Sequence, residues 1–199
     1  MRGIEQIPWM YDALCALLER AGMRRWRDWV TGGARGRTLE VGCGTGRNLS
    51  CYPGGAALVA VDPDGHMLRK ARERAPGVPL VRASAEALPF KDGAFDTVVS
   101  ALVFCSVADP AAGLGEIRRV LGPGGRLRML EHGRSDVPWR ARWQDRIQPL
   151  WTRLAGGCHP NRETERIVEA AGFRIDPQTR RAKGTMRRFV ADPAAPAPK

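Results

Sequence analysis

Three alternating glycines, Gly42, Gly44 and Gly46, lie in the run TLEVGCGTGRNL between positions 38 and 49. Alternating glycines let a backbone turn sharply and approach a ligand without Cβ obstruction. The β-rich run at positions 39–41 comes directly before them. The pattern therefore predicts a strand, a tight loop and the N-terminus of a helix, which is where open α/β sheets bind ligands.

An acidic residue follows the next predicted strand. Asp62 ends the run LVAVD, about 20 residues after Gly42, where a carboxylate can accept hydrogen bonds from both ribose hydroxyls. The glycine spacing differs from the dinucleotide fingerprint, since Gly44 and Gly46 are two positions apart rather than three. The two features support each other, and the spacing disfavours NAD.

These residues resemble the class I S-adenosylmethionine-dependent methyltransferases, in which an acid, here Glu40, precedes the three glycines and the second strand ends in an acid. The resemblance extends from about Tyr11 to Ala191. The segments 82–110 and 116–132 are similar to the later motifs of that family, in the correct order and spacing. The resemblance implies an enzyme that uses S-adenosyl-L-methionine as its cofactor.

The same resemblance implies a cofactor site. It places Met67 against the adenine ring, and Ser84 stands where relatives usually carry an Asp that bonds the adenine amino group, so Glu86 could contribute there. The ring of Tyr11 could face the sulfonium cation or could simply pack on the core. The implied cofactor residues are Tyr11, Glu40, Gly42, Cys43, Gly44, Gly46, Asp62, Met67, Ser84, Ala85, Glu86 and Ala101.

An insertion at positions 133–162, between the fifth strand and the last helix, is not required by the cofactor fold. Its run PWRARWQDRIQPLWTRL places three tryptophans on one face at helical spacing, with Pro149 predicted to kink the helix. The tryptophan face could pack on the core, cap a hydrophobic substrate or lie on a membrane surface. The predicted substrate residues are Trp139, Trp143, Cys105 and Cys158.

The tryptophan-rich insertion, the Glu131-His132 pair and the run GGCHPNRET are similar to the branch that contains the membrane-associated alkyl thiol methyltransferases. Those proteins begin with a hydrophobic anchor that this sequence lacks. This likeness implies a small apolar acceptor such as a thiol. A phospholipid or quinone acceptor at a membrane, and a non-catalytic cofactor-binding protein, remain as alternatives.

Two histidines are the candidates for a general base. His132 falls at a strand edge and His159 in the insertion, and an unperturbed imidazole titrates near pH 6.5. Either ring could instead be structural, for example bonded to the backbone. A free thiol, with a pKa of about 8.5, is already a few per cent thiolate at neutral pH, so its methylation needs little assistance.

The alternation of strands and helices predicts a doubly wound α/β fold. The resemblance implies a Rossmann-like sheet of seven strands, mostly parallel, with an antiparallel C-terminal edge strand and an N-terminal helical cap. We expect one methyltransferase domain over residues 1–191, with 133–162 as a substrate cap and a disordered tail at 192–199.

Composition limits the partners. The five cysteines are dispersed and never form a C-x-x-C pair, so the sequence indicates neither a disulfide framework nor a metal site. The net charge of +11 comes with no interleaved aromatic and basic pattern, so we expect no nucleic-acid partner. No signal peptide or spanning segment is recognisable, which predicts a cytoplasmic protein, with peripheral membrane contact only if the tryptophan face lies on lipid.

Overall fold

A computed structural model describes residues 22–155 and 157–194. Tyr11 and the first part of the predicted N-terminal helical cap lie outside the described residues. The helices are α1 (Arg24–Gly32), α2 (Gly65–Arg74), α3 (Pro110–Val120), α4 (Pro138–Leu154) and α5 (Thr164–Ala170). The strands are β1 (Arg37–Val41), β2 (Ala57–Asp62), β3 (Leu80–Arg82), β4 (Phe95–Ala101), β5 (Leu121–His132), β6 (Phe173–Ile175), β7 (Arg181–Lys183) and β8 (Met186–Pro193).

The strands form one sheet in the order β3-β2-β1-β4-β5-β8-β6, and the short β7 pairs with β8. Strands β1 to β5 pair in parallel, whereas β8 is antiparallel to its neighbours. The predicted fold, a parallel core with an antiparallel C-terminal part, is confirmed. Parallel pairing brings the carboxyl ends of β1, β2 and β4 to one edge of the sheet, where the predicted cofactor residues lie.

Helices cover both faces of the sheet. In β4, Val98 packs with the α3 residue Leu114, whereas Val99 packs with the α1 residue Val30 on the other face. Successive side chains of a strand point to opposite faces, and a parallel sheet is buried on both. This double burial explains why the strands read as nearly continuous apolar runs.

The prediction of a helix directly after the glycine loop is wrong. Residues 44–48 form turns, and only one 3-10 turn, Leu49–Cys51, follows them. The N–H groups of Leu49 and Cys51 donate to carbonyls three residues earlier, those of Gly46 and Asn48. Pro53 ends the segment, because the residue before a proline is disfavoured in the helical conformation. The loop is therefore a chain of tight turns.

Two boundaries also differ from the prediction. The run RLRMLEH predicts a fifth strand that starts at Arg126, but β5 begins at Leu121, and its pairing shifts between Phe95↔Leu121 and Thr97↔Arg126. The glycine-rich run at 122–125, which predicts a break before the strand, forms an irregularity within it. Strand β8 continues through residues 192 and 193, which pair with β6, so these two residues are not part of a disordered tail.

The predicted tryptophan-bearing helix is confirmed as α4, a continuous helix with Pro149 inside it. Its tryptophans do not pack in the core: Trp139, Trp143 and Trp151 are 64%, 59% and 46% exposed. The helix instead buries Ala141 and Gln144. The core-packing interpretation of the tryptophan face is therefore wrong, because helical periodicity defines a face without defining what covers it.

Candidate active site

The three glycines of the loop all adopt positive φ angles, +68° at Gly42, +54° at Gly44 and +79° at Gly46. A Cβ at Gly42 would lie 2.5 Å from a methyl group of Val103, and one at Gly46 would lie 2.9 Å from Cα of Ala71. A Cβ at Gly44 would meet nothing within 4 Å. Gly42 and Gly46 thus permit close packing, whereas Gly44 leaves open space at the sheet edge.

Asp62 ties this loop to the end of β2. Its Oδ2 accepts the N–H of Gly44 at 2.8 Å, and its Oδ1 accepts the N–H of Asp64 at 2.9 Å. Burial raises the pKa of Asp62, and the two N–H groups oppose that rise. Each carboxylate oxygen has a second lone pair, so both can still accept ribose hydroxyls. Asp64, whose residue type and place before a helical run predict an N-cap, caps α2 by accepting the N–H of His66.

Glu40 lies beneath the loop and is 1% exposed. Its Oε1 accepts a hydrogen bond from the Asn48 amide at 2.8 Å, and the Asn48 carbonyl accepts one from Arg27 at 2.7 Å. Burial raises the pKa of Glu40 to about 7, and the Asn48 hydrogen bond opposes this. Glu40 therefore positions the end of the glycine loop through Asn48, a partner that the sequence analysis missed.

Two further cofactor residues are buried on either side of the loop. The Cys43 side chain is buried and its N–H donates to the Val61 carbonyl at 3.0 Å, which joins the loop to β2. Burial raises the pKa of the Cys43 thiol. Ala101, the last residue of β4, is also buried. Both side chains are small.

The residues predicted to bind adenine follow the ends of β2 and β3. Met67 and Ala85 are buried, and the Ser84 hydroxyl donates to Oε2 of Glu86. The other Glu86 oxygen accepts the N–H of Asp109 at 3.1 Å, and the Ser84 hydrogen bond lowers the pKa of Glu86. The Ser84 oxygen keeps lone pairs with which it can accept an adenine amino group.

These residues fit S-adenosyl-L-methionine. The open space at Gly44, the Asp62 carboxylate and the Ser84 hydroxyl lie at the carboxyl ends of three adjacent parallel strands, β1 to β3. The loop would take the methionine part, Asp62 the ribose, and Met67 with Ser84 the adenine. The order of the strands matches the order of these groups along the cofactor.

At the ends of β4 and β5, Glu131 holds a strained turn. This side chain is fully buried, and its Oε1 accepts the N–H groups of Val103 at 2.8 Å and Phe104 at 2.9 Å. Burial raises the pKa of Glu131, and the N–H groups oppose it. Leu102, which begins the turn, has a φ of +61°, rare for a side chain of its size. The two hydrogen bonds that Glu131 accepts from Val103 and Phe104 stabilise the turn and offset the strain at Leu102.

The turn leads into a cluster of two thiols and an imidazole. The sulfur atoms of Cys105 and Cys158 and a ring nitrogen of His132 all lie within 4.8 Å of one another. Sγ of Cys158 is 3.2 Å from Nε2 of His132. Both cysteines are buried and His132 is half-buried. The neighbouring Cys105 thiol and burial together raise the pKa of Cys158, and His132 opposes that rise.

His159 occupies a different position. Its backbone N–H donates to the Cys105 carbonyl at 2.9 Å, and its Nδ1 lies 3.3 Å from an Arg162 guanidinium nitrogen. Arg162 in turn donates to the carbonyls of Phe104 and Val107. His159 thus holds the insertion against the end of β4. Of the two candidate bases, His132 is the one whose ring nitrogen contacts the thiol cluster.

The insertion is attached through Gln144, which is 5% exposed. Its amide nitrogen donates to the carbonyls of Gly133 at 3.1 Å and Pro160 at 2.7 Å, and its oxygen accepts the N–H of Ser135 at 2.8 Å. One buried side chain therefore connects both ends of the insertion to α4. The predicted substrate residues Trp139 and Trp143 lie on the exposed side of the same helix.

The doubly wound sheet, with its glycine loop and acidic second strand, defines an α/β domain that binds a nucleoside-containing cofactor. Residues 39–129 match the family described as "Methyltransferase domain". The demethylmenaquinone methyltransferase of Thermus thermophilus is 42% identical over 176 residues, which cover 80% of each chain. This chain belongs to the class I S-adenosylmethionine-dependent methyltransferase family.

Two other proteins are similar to this chain, one in sequence and one in structure. The thiol S-methyltransferase TMT1B of Homo sapiens is 37% identical over 151 residues, which cover 71% of this chain and 62% of the relative. The chain thus spans about three fifths of the length of that relative. A methyltransferase structure from Mesorhizobium loti has a TM-score of 0.61 at 19% identity, and the match covers 81% of this chain and 91% of that one. This structural likeness shows the fold.

Proposed function

We propose that this protein methylates the sulfur of a small apolar thiol. The observation that carries the proposal is the contact, at 3.2 Å, between Nε2 of His132, at the end of β5, and Sγ of Cys158. An imidazole that contacts a thiol within the protein can interact in the same way with the sulfur of an acceptor thiol. The thiol S-methyltransferase relative supports the same acceptor class.

The polar groups near His132 disfavour a protonated amine as acceptor. An ammonium group needs a carboxylate or carbonyl oxygens to replace its water. The adjacent carboxylate, Glu131, is fully buried, so an ammonium group would have to lose its water to reach it, and Oε1 of Glu131 accepts two backbone N–H groups. A thiol makes no such demand, because it enters as a neutral group and a small fraction ionises near neutral pH.

The residues of the chain have separate roles in this proposal. Bound S-adenosyl-L-methionine supplies an electrophilic methyl group. Asp62 and the glycine loop hold that cofactor, while the turn held by Glu131 sets the position of the acceptor relative to it. Alignment of this kind can contribute about 7 to 11 kcal/mol to a displacement reaction. His132 would orient the thiolate for attack on the methyl group.

The test is a methyl-transfer screen with labelled cofactor, measuring both labelled product and S-adenosylhomocysteine. Alkyl thiols, phenols, amines and lipid vesicles are compared, with Asp62→Ala as the inactive control. We expect turnover on alkyl thiols without vesicles. Turnover confined to phenols or amines would contradict the proposal, and cofactor binding without any product would support a non-catalytic cofactor-binding protein.

The exposed face of α4 favours a second candidate, methylation of a quinone or phospholipid at a membrane surface. Trp139, Trp143 and Trp151 are exposed beside several arginines of the same helix, a combination typical of helices that lie on anionic lipid. In the described part of the chain, no helix is long and apolar enough to cross a bilayer. Turnover that required anionic vesicles would favour this candidate.

We also propose a cytoplasmic location. Cys105 and Cys158 bring two sulfur atoms within 4.8 Å of each other, and a reducing compartment would keep such a pair as thiols. Fractionation of cells that express the tagged full chain tests this location.

A further inference from the structure

Cys105, His132 and Cys158 together offer the atoms that a transition metal requires. Two cysteine sulfurs and one histidine nitrogen form one of the ligand sets that hold catalytic zinc with three protein ligands and one open position. With Zn–S of about 2.3 Å and Zn–N of about 2.0 to 2.1 Å, a tetrahedral site needs ligand atoms about 3.4 to 3.8 Å apart. The atoms here lie within 4.8 Å of one another, and one pair is already at 3.2 Å.

The backbone holds two of these ligands in place without the metal. The Cys105 carbonyl accepts the N–H of His159 at 2.9 Å, which joins the two cysteine-bearing segments. The Cys158 carbonyl accepts the Thr152 hydroxyl at 3.0 Å, and the Cys158 N–H donates to the Ala155 carbonyl at 2.9 Å. These hydrogen bonds do not use the sulfur atoms, so the two cysteine-bearing segments are held in position while both sulfurs remain available as ligands.

Charge balance also favours a divalent ion. Both cysteines are buried, and a buried thiolate without a partner is costly. Two thiolates would neutralise the charge of one Zn²⁺. Thiolate and imidazole are ligands that zinc prefers, whereas magnesium and calcium prefer oxygen.

We propose that Cys105, His132 and Cys158 bind one zinc ion, and that the fourth ligand position takes the sulfur of the acceptor thiol. The zinc site is inferred from the cluster alone, whereas the role of the fourth position rests on the proposed thiol methylation.

On coordination to zinc the acceptor thiol loses its proton to solvent. A lone pair of the thiolate sulfur then forms the new bond to the methyl carbon of the cofactor. The bond from that carbon to the sulfonium breaks, and its electron pair stays on the cofactor sulfur. The products are a neutral methyl thioether and S-adenosylhomocysteine, and the thioether, a weaker ligand, leaves the metal.

The first test measures metal in the whole protein. Protein purified under reducing conditions is analysed for metal, stripped with a chelator and titrated with zinc. We expect one zinc per chain, and cobalt in its place should give the charge-transfer absorption of cobalt bound to thiolates. Cys105→Ser, Cys158→Ser and His132→Gln should each weaken zinc binding at least tenfold, whereas Cys51→Ser, outside the cluster, should leave it unchanged.

The cobalt spectrum of the unmodified chain keeps the test independent of whether the variants fold. Absence of zinc and of cobalt–thiolate absorption would overturn the metal site, as would a Cys105–Cys158 disulfide found in its place by mass spectrometry of the unreduced protein. Equal zinc binding by all four variants would overturn the assignment of the ligands.

The fourth position has its own test, which uses an alkyl thiol such as 1-hexanethiol. We expect this thiol to change the cobalt spectrum and to be methylated more slowly, at least tenfold, by the metal-free protein. A spectrum that ignores the thiol but changes in Cys15→Ser would show a fourth protein ligand and overturn the open position. Full thiol turnover without metal would leave the proposed function standing and overturn the metal's role. Zinc binding with no thiol turnover would leave the metal site standing and overturn both the proposed function and the role of the fourth position.

Discussion

The carboxylate of Asp62 accepts the backbone N–H of Gly44 at 2.8 Å, so the residue predicted to bind ribose also holds the loop in place. We expect Asp62→Ala to weaken cofactor binding at least tenfold, because it removes the ribose acceptor and loosens the loop together. Isothermal titration with S-adenosyl-L-methionine measures this. Asp96→Asn, which loses an exposed ion pair with Arg37, should bind normally; unchanged affinity in Asp62→Ala would remove Asp62 from the ribose site.

Glu40 should make stability depend on pH. Its pKa is about 7 in the folded protein against an ordinary 4.5, so the folded state holds a proton that the unfolded chain releases between these values. The stabilising contribution is complete below about pH 4.5 and is lost as the pH rises through 7. At about 1.4 kcal/mol per pH unit, the difference amounts to about 3 kcal/mol.

The variant Glu40→Gln isolates this effect, because its amide is neutral throughout and can still accept the Asn48 hydrogen bond. Denaturant unfolding at several pH values from 5 to 8 should show a flatter free energy of unfolding in Glu40→Gln than in the original chain. Burial also raises the pKa of Asp62 and Glu131, so only the difference between the two proteins reports on Glu40. Parallel curves would mean that Glu40 is ionised across this range.

Glu131 should matter for both stability and turnover. Glu131→Ala leaves the N–H groups of Val103 and Phe104 without their acceptor, at about 1 to 3 kcal/mol for each buried group. The turn that carries Cys105 would then move, so we expect a loss of turnover of at least tenfold with smaller change in cofactor affinity. Glu131→Gln keeps an acceptor oxygen and should recover part of both. Thermal unfolding and initial rates measure the two effects, and equal turnover in both variants would contradict the positioning role.

The sequence was sufficient for the parts of the site that depend on local patterns. The glycine loop, the acid at the end of β2 and the Asp64 cap follow from residues close together in the chain, and the structure places them as expected in the fold. The helix after the loop failed because Pro53 and tight turns outweighed the glycine pattern. Apart from Pro53, no residue of this short loop argued against a helix.

The thiol and imidazole cluster could not be predicted in this way. Cys105, His132 and Cys158 come from three separate segments, and their meeting depends on the pairing of β4 with β5 and on the path of the insertion. The same holds for Asn48, whose contact with Glu40 joins a turn to a strand beneath it. Spacing along the chain carries no information on such contacts, so the absence of a C-x-x-C pair did not exclude a metal site.

Gln144 should control the order of the insertion without affecting the cofactor. Gln144→Ala removes three hydrogen bonds, those with Gly133, Ser135 and Pro160, of which the first two are buried. We expect faster hydrogen exchange in residues 133–137 and 157–162, a higher Michaelis constant for the acceptor and unchanged affinity for S-adenosyl-L-methionine. Arg142→Ala, at an exposed position on the same helix, is the control. Exchange that stays slow in Gln144→Ala would show that other contacts hold the insertion.

Substitution of the exposed tryptophans distinguishes between the two proposed acceptors, a small thiol and a membrane-bound quinone or phospholipid. If α4 lies on lipid, replacing Trp139 and Trp143 by serine should lower binding to anionic vesicles at least tenfold, because each ring contributes apolar area at the membrane interface. Co-sedimentation with anionic and neutral vesicles measures this binding. High salt should weaken binding of the original chain, because salt screens the attraction between the arginines of α4 and anionic lipid.

If α4 instead covers an apolar thiol, the same variant should raise the Michaelis constant for long alkyl thiols more than for short ones, and vesicles should have no effect. A variant that retains vesicle binding and normal constants for both thiols would exclude Trp139 and Trp143 from either role.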